Sequence, residues 1–279
     1  MAKNNIQQFS TGVTPTWCAG CGNFALLLAM RQMFAKTNMK PYSTVMTFDI
    51  GCAGNAASWH KLYSFHALHG RSLPTALGVK LANPSLTVIA DAGEGGAYGE
   101  GGNHFLHACR SDMNIVLIVH NNKQYALTKG QPSPTSDADY ISLASPEGVK
   151  EKPLNGLQLA IVAGASFVAR GSAGDVEHLT GLFEQAVKHK GFALVEVLQP
   201  CVTNKAVNTF AWYRERVYRL KNWNAGNKDR ALIKAGEWGK KIPIGILYQE
   251  KKKKTSGKKK NLVTGVKKRD IKKLLEEFR

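Results

Sequence analysis

The sequence predicts an α/β fold with a doubly wound parallel sheet, on the basis of three observations. Short, wholly apolar runs alternate with stretches of helical periodicity over the first 200 residues, as in βαβ units whose sheet is covered on both faces. Polar, glycine-containing segments follow several of the apolar runs. With 279 residues, 43% of them apolar and 21% charged, the chain can bury a core and is not a disordered protein.

The individual elements follow from the same two patterns. In the first half, helices are expected at residues 22–35, 74–82 and 101–110, and strands at residues 43–48, 86–90 and 115–119. In the second half, helices are expected at residues 176–189, 208–221 and 227–239, a strand at residues 193–198, and an edge strand or docking segment at residues 241–249. We therefore expect an α/β domain over residues 1–205, a C-terminal helical extension over residues 206–250 and a flexible lysine-rich tail over residues 251–279.

The net charge of +18 is concentrated in that tail. Residues 251–279 hold 13 Lys and Arg against three acids, net +10, whereas the first 250 residues hold 25 against 17, net +8. Because the basic residues of the main part are dispersed and the tail contains one aromatic residue, Phe278, nucleic acid binding is a remote alternative. A polycationic tail attracts acidic protein partners instead.

The N-terminus and the cysteine count indicate the compartment. The opening MAKNNIQQF lacks the apolar core of a secretion signal, and the sequence contains no uncharged apolar run of about 18 residues. We therefore expect a cytoplasmic protein without a membrane partner. An odd number of cysteines, five, favours metal or redox chemistry over a disulfide framework in such a protein.

Potential ligands follow four of the predicted strands, at the positions where a doubly wound sheet binds its ligands. The strands end at Phe48, Ala90, Val119 and Leu198. After the second comes Gly93-Glu94-Gly95, and after the third comes Asn121-Asn122. Carboxylate and amide oxygens suit Mg²⁺, and the glycines allow backbone N–H groups to approach a diphosphate closely.

This combination resembles the signature of thiamine diphosphate enzymes, in which Gly-Asp-Gly precedes Asn-Asn by some 25 residues. Here 25 residues separate Gly95 from Asn121. Glu94 stands where the signature has aspartate, so its carboxylate lies one methylene farther from the backbone. Asp91, three residues earlier, is the alternative metal ligand.

Four cysteines form a second set of ligands. Cys18 and Cys21 are spaced as Cys-x-x-Cys, and Cys52 and Cys201 follow predicted strands. Four thiolates suffice for a structural Zn²⁺ or for a 4Fe–4S cluster, and spacing alone does not choose between them. The position of Cys52 beside the diphosphate loop favours an electron carrier. The fifth, Cys109, is expected to be a buried core residue.

Seven segments resemble the β subunits of the 2-oxoacid:ferredoxin oxidoreductases, the pyruvate and 2-oxoglutarate synthases. They are TPTWCAGCGNF, DIGC, HALHGRSLPTALGVKLANP, GEGGAYGEGGNHFLHACR, HNNKQYALTKGQPSPTS, QPCVTN and NTFAWYRERVY, and they cover roughly residues 12–250. The resemblance implies a sheet of the thiamine-diphosphate-binding type. It implies a 4Fe–4S cluster held by Cys18, Cys21, Cys52 and Cys201, and Mg²⁺ held by Glu94, Asn122 and the carbonyl of Gln124. It also implies contacts with thiamine diphosphate at Ile50, Gly51, Cys52, Ala53, His69, Gly93, Gly95, Asn121, Ala126 and Leu127.

The activity implied by the resemblance is oxidative decarboxylation of pyruvate or 2-oxoglutarate to acyl-CoA and CO₂, with electrons passed through the cluster to ferredoxin. The partners implied are ferredoxin, coenzyme A, a 2-oxoacid and an α subunit, because the resemblance covers one half of a thiamine site. Some relatives carry a basic residue where this chain has Asn55. Lys129 is the remaining cation near the cofactor loop, and we expect Lys129 and His69 to be catalytic. A non-redox thiamine-dependent decarboxylase subunit is the alternative, although it has no use for four placed cysteines.

Overall fold

A computed structural model describes residues 6–204 and 207–250, so the predicted tail at residues 251–279 lies outside the described residues. The strands in these two ranges are β1 (Thr44–Phe48), β2 (Tyr63–His66), β3 (Thr87–Gly93), β4 (Val116–Asn121), β5 (Phe167–Ser172), β6 (Ala193–Leu198), β7 (Val217–Arg219) and β8 (Ile242–Gln249). The α-helices are α1 (Asn23–Lys36), α2 (Ser72–Ala82), α3 (Gly102–Ser111), α4 (Gly156–Ala163), α5 (Val176–Lys188), α6 (Phe210–Arg216) and α7 (Lys228–Gly236). Short 3-10 helices span Ile6–Phe9, Pro41–Ser43 and Gly54–Ser58, and a π-helical turn spans Gly95–Glu100.

The strands form one sheet in the order β2-β1-β3-β4-β6-β5-β8-β7. Neighbouring strands pair in parallel except β5 and β8, which are antiparallel. The doubly wound parallel sheet is therefore confirmed, with an antiparallel pairing where the C-terminal segment joins it. The predicted edge strand at residues 241–249 is instead an interior strand, because β7 pairs with its outer side.

Two apolar cores cover the two faces of this sheet. On one face, Leu26 and Phe34 of α1 pack with Leu179 and Phe183 of α5. On the other face, the core is formed by α2, α3, α4 and α7, with buried residues that include Leu73, Phe105, Leu157 and Ala231. Strands β3 to β6 are buried almost throughout, which fits the apolar runs of β3, β4 and β6, whereas β5 buries a charged residue, Arg170.

Several boundaries differ from the sequence prediction. Strand β3 continues to Gly93 and β4 to Asn121, so Asp91 lies inside the sheet, where it pairs with Phe48, and not in a loop. The helix predicted at residues 208–221 ends at Arg216, because the chain turns there into β7 alongside β8. Strands β2 and β5 and helix α4 have no counterpart in the prediction.

The C-terminal extension continues the sheet of the main domain. Strand β8 pairs with β5 from Phe167 to Arg170, and Asn155, the N-cap of α4, donates a hydrogen bond from Nδ2 to the carbonyl of Ala235 (3.0 Å). The predicted boundary at residue 205 thus does not coincide with an end of the sheet. No described helix has the length and apolar character needed to cross a membrane.

Candidate functional site

A cavity of about 190 Å³ opens at the carboxyl ends of β1, β3 and β4. Nine of the ten residues predicted to contact thiamine diphosphate line it, and the three predicted magnesium ligands do so as well. The lining is formed by Ile50, Gly51, Cys52, Ala53, His69, Gly93, Glu94, Gly95, Gly96, His120, Asn122, Gln124, Tyr125, Ala126, Leu127, Thr128 and Gln199.

The first wall is the turn that follows β1. Gly51 has a φ of 114°, a conformation that side chains with a Cβ rarely adopt, and this turn brings Cys52 to the cavity. The buried carboxylate of Asp49 accepts hydrogen bonds from the N–H groups of Ile50 (2.6 Å) and Gly70 (2.9 Å). It also lies 3.1 Å from Nδ1 of His69, which it holds at the cavity mouth. Burial raises the pKa of Asp49.

Glu94, which follows β3, provides a fully enclosed carboxylate. Its Oε1 accepts hydrogen bonds from the N–H of Gln124 and from Oγ of Ser133, both at 2.8 Å, and its Oε2 accepts one from the N–H of Asn122 at 3.4 Å. Desolvation by burial raises the pKa of Glu94 to about 7, against the lowering effect of these hydrogen bonds. A cation beside Glu94 would offset that desolvation, so the residues present fit a magnesium site.

Asp91, the alternative ligand, faces other partners. Its carboxylate lies 3.1 Å from Nε2 of His120, whose Nδ1 lies 2.8 Å from Oδ1 of Asn23. Asp91 is absent from the described lining of the cavity, whereas Glu94 lines it. This arrangement favours Glu94 over Asp91 as the metal ligand.

The loop after β4 supplies the opposite wall. Nδ2 of Asn122 donates a hydrogen bond to Oε1 of Gln199 (3.2 Å), which fixes the amide beside Glu94. Asn121 is the one predicted cofactor contact that is not among the described lining residues. Its Oδ1 instead accepts hydrogen bonds from the N–H of Lys123 (3.1 Å) and from Oγ1 of Thr135 (3.0 Å). Asn121 therefore stabilises the loop after β4 by hydrogen bonds, without lining the described cavity.

The four cysteines predicted as ligands line a second cavity of about 100 Å³. The two cavities have a common wall, formed by Cys52, Asn122, Ala126, Leu127 and Gln199. Desolvation by burial is the main reason why the pKa of the Cys52 thiol is raised to about 12 and that of the Cys21 thiol to about 11, and the neighbouring cysteines contribute to both. Thiolates therefore form here when a metal centre shares their charge.

The four cysteines border one space, the second cavity. Among the described residues, no group of three or more His, Cys, Asp or Glu side chains is placed to hold a single metal ion. In a cubane cluster each thiolate binds a different iron, so cluster ligands surround a cavity instead of converging on a point. Trp17 joins two of the ligand segments, because its Nε1–H donates a hydrogen bond to the carbonyl of Cys52 (2.7 Å).

Two predicted residues lie away from the cavities or in the core. Lys129 is exposed, has a φ of 79° and is not among the described lining residues of either cavity. Cys109 is fully buried in the core, as expected. Two residues of the site were not predicted from the sequence: Tyr125, which lines the cavity, and Ser133, which donates a hydrogen bond to Glu94. Tyr125 could have been found, because it directly follows the predicted magnesium ligand Gln124. No local sequence pattern distinguishes Ser133.

Known protein families match the chain in two consecutive parts. Residues 49–197, more than half of the chain, match the family described as thiamine pyrophosphate enzyme, C-terminal TPP binding domain. Residues 201–262 match the family described as the C-terminal part of the pyruvate ferredoxin oxidoreductase beta subunit. The first cavity therefore lies in a thiamine-diphosphate-binding domain.

Comparison with individual proteins shows to which family of thiamine-diphosphate-binding proteins the chain belongs. The 2-oxoacid:ferredoxin oxidoreductase subunit beta of Saccharolobus solfataricus is 42% identical over 247 residues, which cover 84% of this chain and 81% of that protein. The 2-oxoglutarate synthase subunit KorB of Archaeoglobus fulgidus is 39% identical over 198 residues, covering 71% and 74%. The solved 2-oxoglutarate:ferredoxin oxidoreductase from Magnetococcus marinus, with 2-oxoglutarate, coenzyme A and succinyl-CoA bound, matches at a TM-score of 0.88 and 29% identity, over 100% of this chain and 92% of that chain. The chain belongs to the 2-oxoacid:ferredoxin oxidoreductase β-subunit family and is an oxidoreductase subunit.

Proposed function

We propose that this chain is the thiamine-diphosphate- and cluster-binding subunit of an enzyme that converts a 2-oxoacid and coenzyme A to acyl-CoA and CO₂. The two electrons released leave through a 4Fe–4S cluster to ferredoxin. The observation that carries the proposal is the wall shared by the two cavities. Cys52 lines both, so electrons have a short path from one to the other.

The geometry of the first cavity supports the proposed cofactor residues. Glu94, Asn122 and the carbonyl of Gln124 would hold Mg²⁺, because the Glu94 carboxylate is buried against the backbone of the other two. Gly93 and Gly95 line the cavity and would contact the diphosphate through their backbone, and a Cβ on Gly95 would lie 2.2 Å from Cε1 of Tyr125, so only glycine fits there. The remaining contacts to thiamine diphosphate would come from Ile50, Gly51, Cys52, Ala53, His69, Ala126 and Leu127, with Asn121 stabilising the loop after β4 by hydrogen bonds.

The protein's own part in the reaction is to bind and orient thiamine diphosphate and to shield the reaction site. When bound, thiamine diphosphate supplies the nucleophilic carbon and the electron sink for decarboxylation. Asp49 holds His69 through Nδ1, and Nε2 of His69 lies 3.2 Å from Oε2 of Glu100, so the imidazole has a fixed orientation at the mouth. The apolar side chains of Ile50 and Leu127 line the same cavity and are exposed at its mouth, so a partner that covers them would exclude water from the site.

A partner subunit and a substrate-binding residue complete the proposal. His69 and Ile50 are partly exposed at the cavity mouth, so an α subunit packs over the site there and supplies the other half of the thiamine pocket. Lys129, exposed on the loop beside Leu127, is the cation assigned to the substrate carboxylate once the partner has closed the site. The cellular location proposed for the complex is the cytoplasm.

Metal analysis and spectroscopy of the anaerobically purified complex test the cluster. We expect about four irons per chain and a broad visible absorbance that bleaches on reduction. Single serine variants of Cys18, Cys21, Cys52 or Cys201 should lower the iron content. Cys109→Ser is the matched control and should leave it unchanged, because Cys109 is buried in the core. Stoichiometric zinc without iron would defeat the redox proposal and favour a non-redox decarboxylase.

Substrate assays test the reaction. The complex is supplied with coenzyme A, ferredoxin and either pyruvate or 2-oxoglutarate, and acyl-CoA and reduced ferredoxin are measured. We expect two reduced one-electron ferredoxins per acyl-CoA with the preferred acid. Production of CO₂ without reduction of ferredoxin would contradict the assignment.

A further inference from the structure

Lys123 lies between the proposed metal ligands Asn122 and Gln124 and has an unusual backbone conformation. Its φ is 62°, in the left-handed region that residues with a Cβ seldom occupy. Such a conformation persists when surrounding contacts hold it in place, and it occurs preferentially at functional sites. The contacts of Lys123 therefore determine where its two neighbours lie.

Contacts hold Lys123 at its backbone and at its side chain. Its N–H donates a hydrogen bond to Oδ1 of Asn121 (3.1 Å), and its carbonyl accepts one from Oγ of Ser136 (2.7 Å). Its side chain is 6% exposed, with Nζ 2.6 Å from Oδ1 of Asp137. Nζ also lies 4.3 Å from the ring centroid of Trp238, within the range of a cation–π interaction.

Trp238 comes from the C-terminal extension, just after α7. Its ring packs against Trp212 (centroids 6.1 Å apart) and Tyr213 (6.4 Å), and the buried guanidinium of Arg170 lies 5.7 Å from it. Trp212, Tyr213 and Trp238 thus form an aromatic platform in the extension, held by their mutual packing. Through this platform the extension reaches the loop on which the proposed metal ligands lie.

We propose that Trp238 is a positioning residue: it holds the Lys123 ammonium and so preorganises Asn122 and Gln124 for the magnesium ion. This rests on the proposed function, because it takes those two residues as metal ligands. The link is direct, since the N–H groups of Asn122 and Gln124 both donate to the carboxylate of Glu94. A shift of Lys123 would therefore displace all three ligands from one another.

The test measures cofactor affinity in the enzyme purified with its partner subunit. After removal of the cofactor, Mg²⁺ and thiamine diphosphate are titrated back by calorimetry, and kcat is measured at saturating cofactor. We expect Trp238→Ala to raise the dissociation constant about fivefold, from loss of one cation–π contact. Trp238→Phe should restore most of that affinity, and kcat should stay within about twofold, because the loop still forms once the cofactor is bound.

Lys123→Met removes this contact together with the ion pair between Lys123 and Asp137. It should weaken cofactor binding at least as much as Trp238→Ala, and adding Trp238→Ala to it should have no further effect. If Trp238→Ala does not fold, Trp238→Leu takes its place, because it removes the aromatic ring and keeps the ion pair between Lys123 and Asp137. Additive losses in the double variant would overturn the proposal, as would wild-type affinity in either single variant.

Trp223→Ala is the matched control within the extension. Trp223 also has cations near its ring, Arg230 at 5.3 Å and Lys234 at 5.6 Å, but these belong to α7 and not to the ligand loop. Cofactor affinity should stay at the wild-type value in Trp223→Ala. An equal loss in both tryptophan variants would mean that the extension merely stabilises the fold, and it would overturn the proposal.

The metal ligands themselves provide the second comparison. If Asn122→Ala binds Mg²⁺ and thiamine diphosphate as tightly as the wild type, the assignment of the metal site is wrong. If Asn122→Ala loses affinity while Trp238→Ala keeps it, the metal site stands and the positioning role of Trp238 is wrong.

Discussion

Glu94 occupies the position where the thiamine diphosphate signature has aspartate, and its surroundings accommodate the additional methylene. Its carboxylate is buried and receives hydrogen bonds from the backbone of the ligand loop, so the loop and the longer side chain fit one another. Asp91, by contrast, is a strand residue whose carboxylate lies against His120. The two carboxylates therefore have separate roles, one toward the cavity and one within the sheet.

Replacement of Glu94 tests this division. Glu94→Ala should abolish retention of thiamine diphosphate, because the metal would lose its charged ligand. Glu94→Asp should retain the cofactor with reduced affinity, since the shorter side chain keeps the charge. The cofactor that remains bound after gel filtration is the measurement. If Asp91→Ala loses the cofactor while Glu94→Ala keeps it, the ligand assignment is wrong.

His60 is a buried imidazole whose effect on stability depends on pH. Its ring stacks on Phe48 (centroids 6.0 Å apart) and meets Phe34 edge-on (5.8 Å), and within the described residues neither ring nitrogen has a hydrogen-bond partner. Burial lowers the pKa of His60 from 6.5 to about 3. The unfolded chain therefore binds one more proton than the folded chain between these pH values. Titration of His60 therefore does not reduce the free energy of unfolding above pH 6.5, and it reduces it progressively as the pH is lowered toward 3.

His60→Phe should remove that dependence. We expect the variant to gain about 1 kcal/mol of unfolding free energy at pH 7, because an unsatisfied buried polar group is replaced by an apolar ring. Below about pH 6 the wild type should lose an additional ~1.4 kcal/mol per pH unit that the variant keeps. Urea denaturation at pH 7 and pH 5 measures both effects. Parallel pH profiles for the two proteins would contradict the prediction.

The π-helical turn Gly95–Glu100 packs directly onto the end of β1. A Cβ on Gly96 would lie 2.1 Å from Oδ2 of Asp49, the carboxylate that holds His69. Gly96→Ala should therefore displace Asp49, destabilise the fold by about 2 kcal/mol and weaken cofactor binding. Thermal unfolding and cofactor titration are the measurements. Gly102→Ala, where a Cβ meets no atom within 4 Å, is the matched control and should change neither.

Sequence patterns predicted the strands that are mostly apolar, and they missed one strand that buries a charged residue and one that is short and exposed. Strand β5 is fully buried but contains Arg170, whose charge is accommodated by Glu196 on β6 and by the Trp238 ring. Strand β2 is exposed and only four residues long, so its alternation of Tyr63 and Phe65 with polar residues is too short to stand out. The cavity walls were predictable because their ligands follow apolar strands. The contact between Lys123 and Trp238 was not, because it joins residues far apart in sequence.

At the scale of the whole molecule, the positive charge is distributed unevenly along the sequence. Thirteen Lys and Arg lie in residues 251–279, after β8 in the sequence. Deletion of these residues should raise the apparent KM for an acidic ferredoxin at low salt, because long-range attraction is lost. The difference should shrink as salt is raised, since screening acts within about 10 Å at 0.1 M.

An uncharged artificial electron acceptor is the control for this deletion. Its reduction rate should be the same in the full-length and shortened enzymes, because the two cavities lie within residues 6–204. An unchanged ferredoxin KM at low salt would disprove electrostatic steering. Loss of the α subunit on purification would indicate that the tail serves in docking.

The position of β8 between β5 and β7 has a consequence for how the protein is made. During synthesis β5 leaves the ribosome about 70 residues before β8, which corresponds to a delay on the order of 10 seconds. Throughout that delay the outer edge of β5 has no strand beside it, and open edges invite pairing with other nascent chains. A message truncated before codon 242 would leave that edge open permanently. Such fragments should be substrates for chaperones and proteases, so quality control favours chains translated through β8.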